Sequence, residues 1–396
     1  YMSASSGGTL SVVLDTNSPP YVIVSPGQTV ELARIKYSAT NEDIDLKQVA
    51  LQLSSVASNT PENLVGRQVT IHTTDGVQIA TAVFPTGDNA TSSAIASGAF
   101  RIPRDSSKVL VVKGTIAGIT ASGPMTRSGD LLVVNYDGDN EGGNTSTDGN
   151  YGVGASSGNN VNPVTSDTTS SGVRIMKTYP EFSRIPLTTS ETLLLAGADR
   201  TLYKFSVKAT NGDVAIYKFT LSVGSSTVSA TTTTYGLYAY TDTAFASADT
   251  TFSSTGLMNA SNRIGGTGSN QSCLMGSSAC LVEIYPDKSS ATTTYIIPSG
   301  ATRYFWLRAT VSSVETGTGS ESISVNLQGD ASYPVNSANL METPANTDGD
   351  AQDDFIWSPI STTTQNTIND LDFTNGYQVR GLPDTNMTAE ILTSTN

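Results

Sequence analysis

Hydrophobic and polar residues alternate along most of the chain, and one alternating stretch occurs twice. Ile35 and Tyr37 alternate with polar neighbours in the first copy. Phe205 and Val207 do the same in the second copy. A period of two places one face of a strand against a core and the other face in water. Each copy is interrupted by an Ala-Thr-Asn corner, so each is predicted to form two strands joined by a turn.

The two copies are related by fixed offsets along the chain. The corner that begins at Ala39 recurs at Ala209, an offset of 170 residues. The strand that begins at Lys108 recurs at Arg303, an offset of 195. The increase from 170 to 195 places an insertion of 25 residues in the second copy.

A third match strengthens the evidence for a duplicated domain. Val134 and the asparagine after it recur at Val325, an offset of 191. We therefore expect 29–136 and 199–328 to share one strand order, with Thr40 and Thr210 at equivalent corners.

The fold class follows from the number and spacing of the strands. About nine short strands at a spacing of roughly 8–12 residues are typical of an immunoglobulin-like sandwich. The sequence predicts an all-β protein with two duplicated immunoglobulin-like β-sandwich domains and an extended C-terminal segment. The predicted boundaries are 1–136 for the first domain, 137–171 for a linker or loop, 172–343 for the second domain with its cysteine-containing insertion, and 344–396 for the extension.

Two segments do not fit the repeat. Residues 137–171 are rich in Gly, Ser, Asn and Asp and hold few apolar side chains. Such a segment cannot fold alone, so we predict a flexible linker or a loop ordered by bound cations. The acidic segment 344–396 contains Phe355, Trp357 and Phe373, which need a surface to cover on this subunit or on a neighbour.

Composition narrows the partners. The 396 residues carry a net charge of −14, and only 14% of them are charged. An acidic chain is a poor partner for nucleic acid or anionic lipid and a better one for cations such as calcium. No apolar run approaches the roughly 18 or more residues of a membrane span. A chain rich in Asn, Thr and Ser and poor in Lys favours export to the cell surface.

The two cysteines, Cys273 and Cys280, both lie in the insertion of the second copy. A disulfide between them fits an oxidising compartment and would close a short loop. The competing interpretation is a metal pair, which lacks the second pair that a zinc site needs. We predict the disulfide.

Two acidic clusters are candidate calcium sites. Carboxylates at alternate positions, with glycines that permit tight turns, can supply several of the oxygen ligands that calcium takes. Neither cluster is a complete EF-hand loop, so a solvated acidic loop is the alternative. The candidate ligands are Asp137, Asp139, Glu141, Asp348, Asp350, Asp353 and Asp354.

The sequence does not favour catalysis. Its one histidine, His72, lies in an alternating strand, where a structural role is usual. The metalloprotease, nucleophile-elbow and phosphate-loop motifs are absent from the sequence. We expect a protein that is not an enzyme, with no cofactor apart from calcium.

The C-terminal region resembles a known group of proteins. Its motifs are Asp-Asp-Phe-Ile-Trp-Ser-Pro at 353–359, Thr-Asn-Gly-Tyr at 374–377 and Gly-Leu-Pro at 381–383. Together with the second β domain, they resemble large secreted surface proteins of Patescibacteria-type bacteria. The resemblance implies an extracellular, repetitive β protein and brings no catalytic residue.

Three functions are consistent with these observations. The leading hypothesis is a structural subunit of a filament, tube or surface layer, which polymerises with copies of itself when 1–15 or 344–396 adds as a strand to a neighbour. The second is an adhesin or carbohydrate-binding protein with a glycan or cell-surface target, in which Tyr238 and Tyr240 lie on one strand face and Tyr235 on the other. Rings that fill the sandwich core are the alternative for these tyrosines. The third, weaker hypothesis is a cell-envelope hydrolase.

Overall fold

The structure is a computed structural model of the whole chain. It describes residues 7–54, 58–119, 127–138, 149–163, 166–226, 230–260, 280–287, 294–314, 321–334, 341–347, 353–361 and 371–394. The chain divides into two compact units, Tyr1–Met176 and Lys177–Asn396, here called unit 1 and unit 2. Each unit is an all-β sandwich, which confirms the predicted fold class.

Unit 1 places a five-stranded sheet, in the order β1-β3-β10-β6-β7, against three shorter ladders. The shorter ladders are β14-β13-β4-β9, β12-β5-β8 and β11-β15-β2. The strands are β1 (Thr9–Leu14), β2 (Val22–Val24), β3 (Thr29–Thr40), β4 (Ile44–Gln48), β5 (Ala50–Leu53), β6 (Leu64–Thr73), β7 (Gln78–Val83), β8 (Asn89–Thr91), β9 (Arg101–Ile102), β10 (Ser106–Ile116), β11 (Leu131–Leu132), β12 (Val134–Tyr136), β13 (Tyr151–Gly154), β14 (Asn160–Val161) and β15 (Val173–Ile175), with a short 3-10 helix at Pro61–Asn63.

The core of unit 1 comes from the alternation seen in the sequence. Ile35 and Tyr37 of β3 are buried, while Lys36 between them is partly exposed. The Tyr37 ring contacts Phe100 and Tyr136 edge to face, with centroids 6.1 Å apart in both pairs. Edge-to-face geometry is favourable for aromatic pairs. The core therefore joins β3 to the shorter ladders that face it.

Unit 2 has a four-stranded sheet, in the order β16-β17-β22-β19, and a larger sheet built on β18. The larger sheet has the order β25-β24-β18-β23-β26, with β20 and β21 also paired to β18. The strands are β16 (Tyr179–Arg184), β17 (Gly197–Thr210), β18 (Val214–Ser225), β19 (Thr231–Tyr240), β20 (Cys280–Ile284), β21 (Tyr295–Ile297), β22 (Thr302–Ser312), β23 (Ser322–Leu327), β24 (Phe355–Ser358), β25 (Thr374–Asn375) and β26 (Glu390–Thr393), with a one-turn helix, α1, at Pro344–Thr347.

The predicted duplication is confirmed by the register of the strands. In unit 1 Lys108 of β10 pairs with Tyr37 of β3. In unit 2 Arg303 of β22 pairs with Val207 of β17. The same offsets of 195 and 170 therefore relate both members of each pair.

The predicted corners are also equivalent. Thr40 pairs with Thr9, and Thr210 pairs with Tyr179, again at an offset of 170 on each strand. The asparagine that follows each threonine has a positive φ, 69° at Asn41 and 62° at Asn211. Asparagine tolerates this left-handed conformation better than most residues, which explains why the Ala-Thr-Asn corner recurs in the sequence.

The interpretation of 137–171 as a linker is wrong for the residues that the structure describes there. β13 pairs with β4, and β14 pairs with β13, so both belong to unit 1. Gly152 lies so close to β4 that a Cβ at this position would overlap a methyl group of Ile44. The glycine therefore permits close strand packing. Because β15 also pairs inside unit 1, the boundary follows Met176 instead of residue 171.

The prediction that 344–396 extends away from the second domain is also wrong. β24 pairs with β18, and β26 pairs with β23, within the same unit. Phe355 of β24 packs against Phe182 and Phe219, with ring centroids 4.8 and 5.4 Å apart. The large apolar residues of this segment thus complete the core of unit 2, where their burial is favourable.

The C-terminal strands have counterparts in unit 1. Gly152 of β13 pairs with Leu46, and Trp357 of β24 pairs with Ile216, the residue 170 positions after Leu46. Both ladders shift register at the same point, beside these pairs. Each unit is therefore closed by the same late strands.

Candidate functional site

The first candidate calcium cluster is only partly described. Asp137 is fully buried at the end of β12, where its N–H donates to the Ala50 carbonyl at 3.1 Å. Its carbonyl accepts a hydrogen bond from the Asn150 side chain. Asp139 and Glu141 lie outside the described residues. Asp137 thus helps to hold β5 and β13 together.

The second cluster is divided in the same way. Asp348 and Asp350 lie outside the described residues, whereas Asp353 and Asp354 precede β24. The Asp353 carboxylate accepts a hydrogen bond from the Asn375 side chain. Within the described part of the chain, no three His, Cys, Asp or Glu side chains are grouped as a metal site requires. Calcium binding at either cluster stays a prediction.

The carboxylate that organises this region is Asp330, which was not among the predicted residues. It follows β23 and is 1% exposed. Its oxygens accept main-chain N–H groups from Asp354 at 2.5 Å, Phe355 at 3.3 Å and Gly376 at 2.6 Å. One side chain therefore holds the start of β24 and the end of β25. With three donors on its two oxygens, Asp330 acts as an internal anchor.

Burial raises the pKa of Asp330 to about 7, because the charged form loses its hydration. The nearby charge of Asp353 adds to this increase, while the main-chain donors oppose it. The repeat contained a signal for this residue. The strings Val-Asn-Tyr-Asp-Gly-Asp at 134–139 and Val-Asn-Leu-Gln-Gly-Asp at 325–330 align at the offset of 191, which makes Asp139 the counterpart of Asp330.

An aromatic surface covers the outer face of the four-stranded sheet in unit 2. Tyr238 of β19 lies opposite Trp306 of β22, and Tyr240 lies opposite Tyr304. Phe305, between the two residues of β22, is fully buried on the other face. Tyr238 and Tyr240 therefore share a face as predicted, and the alternative that they fill the sandwich core is wrong.

Cations occupy the faces of these rings. The Arg308 guanidinium lies 3.6 Å from the Trp306 ring centroid and 4.6 Å from that of Tyr238. Lys204 Nζ lies 4.6 Å from the Trp306 centroid and 4.9 Å from that of Phe245. Cation–π contacts of this kind are favourable. A sugar would need a bare ring face, so this surface does not form the predicted sugar platform.

The loop after β19 completes the cover. The Asp242 carboxylate accepts main-chain N–H groups from Ala244, Ala246 and Ser247 at 2.5–3.3 Å. These bonds, the Ser247 bond first, lower the pKa of Asp242. They hold a tight loop whose tip, Phe245, has a φ of 55° and packs on Trp306 at 5.3 Å.

The largest cleft that concerns function lies in unit 1. It has a volume of about 620 Å³ and is lined mainly by amide, carboxylate and hydroxyl groups. Among its lining residues, Gln52 donates from its side chain to the Asp167 carboxylate, which also accepts the Gly138 N–H at 2.8 Å. Asp88, Asn89 and the residues after Asp167 supply further polar groups to its wall. The chemistry of the cleft suits a hydroxyl-rich ligand.

The predicted disulfide is described on one side. Cys280, at the start of β20, is disulfide-bonded. Cys273 lies outside the described residues, so the pairing of the two stays a prediction. β20 pairs with β18, so Cys280 is attached to the larger sheet of unit 2.

The single histidine has a local structural role. His72 Nδ1 lies 3.1 Å from the Gly76 carbonyl, and Nε2 lies 2.9 Å from Thr70 Oγ1. Both contacts stay within the β6–β7 hairpin. The arrangement orients the ring along the hairpin.

The described residues include no helix of the length and hydrophobicity that a membrane crossing requires.

Comparisons with known proteins leave the family open. No family model matches the chain, and no curated protein matches it. The C-terminal domain of the Streptococcus pyogenes antigen I/II-family protein AspA aligns over 81% of this chain and 95% of its own, with 8% identity and a TM-score of 0.22. The C-terminal domain of the Streptococcus agalactiae antigen I/II polypeptide BspA aligns over the same shares, with 7% identity and a TM-score of 0.19. At these values the similarity carries no functional argument.

Proposed function

We propose that this chain is a non-enzymatic segment of an extracellular surface protein, in which two tandem β-sandwich units serve structure and adhesion. The observation that carries the proposal is the complete duplication. Corresponding ladders keep their register, and each unit is closed by its own late strands. Tandem copies of a self-contained sandwich suit a protein that spans distance or presents surface, because each copy adds length without new chemistry.

Three features support an extracellular location. The chain is acidic, with a net charge of −14, and only 21 of its residues are Lys or Arg. Cys280 is disulfide-bonded, and disulfides persist mainly in oxidising compartments. The resemblance of the C-terminal motifs to secreted surface proteins of Patescibacteria-type bacteria agrees with this location.

Polymerisation by strand donation from a terminus is not part of the proposal. β1, from the N-terminal segment, pairs with β3 of its own unit, and β24 and β26 pair within unit 2. In unit 1 the counterpart of β24 is β13, which is internal to the chain. Because the same strand completes both units, the C-terminal strands are parts of the fold. Any assembly would therefore use other surfaces.

Adhesion is the second component, and the polar cleft of unit 1 favours it. Sugars are bound through several convergent amide, carboxylate and hydroxyl groups, which this cleft contains. A glycan array probed with the purified chain tests this component. Binding that Asn89→Ala removes, and that Asn159→Ala at an exposed turn preserves, would support it. An array without binding would leave the structural role alone.

Location and assembly are tested on intact cells and in solution. Antibodies against the chain should label the surface of unpermeabilised cells that produce it. Labelling only after permeabilisation would contradict the proposal. Light scattering of the purified chain should give one subunit of 41.3 kDa. Polymers visible by electron microscopy would instead favour a filament or layer.

A further inference from the structure

In unit 1 a strand close to the N-terminus lies parallel to the last strand. β2 pairs with β15 in parallel, with Ile23 opposite Arg174. The pairing continues past β15, where the Met176 N–H donates to the Val24 carbonyl at 2.9 Å. The first and last parts of the unit are thus joined directly by main-chain hydrogen bonds.

Unit 2 repeats this arrangement at equivalent positions. Leu193, which lies 170 residues after Ile23, forms a parallel bridge with Thr393. The Thr393 N–H donates to the Thr192 carbonyl at 2.9 Å, and the Leu194 N–H donates to the Thr393 carbonyl at 3.0 Å. The parallel contact is therefore a property of the repeated fold.

The direction of the strands decides how tension acts on this contact. A pull on the N-terminus draws β2 toward its own start, and a pull on the C-terminus draws β15 toward its own end. Because the two strands are parallel, these directions are opposite along one axis. The hydrogen bonds between them are then strained together in shear. In a pair pulled from adjacent ends, the bonds would break one after another.

Side-chain contacts reinforce the last strand of unit 1. The Arg174 guanidinium donates to the Tyr21 hydroxyl at 2.8 Å and to the Gly129 carbonyl at 2.7 Å. Tyr21 directly precedes β2, and Gly129 precedes β11, the other neighbour of β15. Arg174 is buried, so water competes poorly for these bonds. One side chain therefore ties the last strand to both of its neighbours.

We propose that the parallel contact between the first and last parts of each unit is a mechanical clamp, which resists tension applied between the two ends of the chain. The biological use of the clamp rests on the proposed function, since a surface protein is pulled between its cell and its target. The mechanical property belongs to the fold itself. A weak clamp in a surface-labelled protein would therefore reject this inference and leave the proposed function standing.

Single-molecule pulling of the full chain tests the clamp. Unfolding should occur in two steps that release 176 and 220 residues, or roughly 600 and 770 Å at about 3.5 Å per residue. The step of unit 1 should need more force than that of unit 2, because its parallel ladder is three residues long and that of unit 2 is a single bridge.

The pulling direction provides the sharpest comparison. A handle at Ser171→Cys, an exposed position just before β15, applies force at the same end of β15 as the N-terminus applies to β2. The parallel bonds then break in sequence, so the unfolding force of unit 1 should fall. Equal forces in the two directions would overturn the clamp.

Two proline variants form a matched pair. By the register shared with Thr192 and Leu194, the bonds to β15 use the main chain of Val22, and the N–H of Ile23 points away. Val22→Pro should lower the force of the unit 1 step, while Ile23→Pro should leave it unchanged. Equal loss of force in both variants would reject the clamp. If either variant fails to fold, the comparison of pulling directions still decides.

Discussion

Gly152 and Trp357 occupy the same position in the two units. Gly152 pairs with Leu46 in unit 1, and Trp357 pairs with Ile216 in unit 2, at the same irregularity of the ladder. One position thus holds the smallest residue in one copy and the largest in the other. Main-chain pairing has been kept while the space beside it differs: Gly152 lies against Ile44, and Trp357 is fully buried in a wider core.

Opposite substitutions should therefore destabilise the two units. Trp357→Ala should lower the free energy of unfolding of unit 2 by about 3–5 kcal/mol, as truncation of a buried aromatic residue does. Its indole Nε1 also donates to the Asn375 carbonyl at 2.7 Å. Both tryptophans, Trp306 and Trp357, lie in unit 2, so the remaining fluorescence of Trp306 monitors this transition in urea.

The converse variant is Gly152→Ala. The added Cβ would meet Ile44 and the Asp45 carbonyl, and overpacking of this kind costs about 1–3 kcal/mol. Circular dichroism should show an earlier transition for unit 1, while the tryptophan fluorescence of unit 2 is unchanged. A variant as stable as the parent would show that β13 does not pack against β4 as described.

Gly376→Ala should destabilise unit 2. A Cβ at this position would lie 2.7 Å from the Asp330 carboxylate and 2.8 Å from a methyl group of Leu382. The variant must displace the anchor that holds β24 and β25, at a cost of about 1–3 kcal/mol. Urea unfolding followed by tryptophan fluorescence measures the effect. Gly87→Ala, where the added Cβ meets nothing within 4 Å, is the control and should behave as the parent.

Asp330 should give unit 2 a distinctive pH dependence. Its pKa is about 7 in the folded unit, above its ordinary value of 3.8, so the folded state binds more protons between these pH values. The contribution of Asp330 to stability is therefore complete below about pH 4, is lost as the pH rises to about 7, and is constant above that. Urea midpoints from pH 4 to 8 should fall accordingly. In Asp330→Asn the slope should disappear, and a slope that persists would assign it to another group.

Glu42 should give unit 1 the opposite trend. Its carboxylate accepts N–H groups from Gly8, Ser156 and Ser157, at 2.9–3.1 Å, and the Ser157 hydroxyl. These bonds, the Gly8 bond first, lower its pKa from 4.5 to about 2. Its stabilisation is therefore present above about pH 4.5 and is lost as the pH falls toward 2.

Circular dichroism of urea unfolding between pH 6 and 3 measures this loss in unit 1. Glu42→Gln keeps the shape of the side chain and should remove the dependence. Asp75→Asn is a suitable control, because the Asp75 carboxylate lies at an exposed hairpin tip of the same unit. A Glu42→Gln variant that keeps the parent's pH profile would contradict the role assigned to Glu42.

The sequence by itself determined the fold class and the strands of the repeated core. The alternation around Tyr37 and Phe205 depends only on which side of a strand meets the core, and that pattern is local. The offsets of 170, 195 and 191 then ordered the strands, because equivalent strands must pair in equivalent registers.

Only the tertiary structure decided where the polar segment and the C-terminal segment belong. β13 and β24 are recruited through main-chain hydrogen bonds, which any residue except proline can donate, so their side chains carry little common pattern. The roles of Asp330 and Arg308 were also hidden. A carboxylate acquires three main-chain donors, and a guanidinium covers an indole, only when segments distant in the chain are brought together.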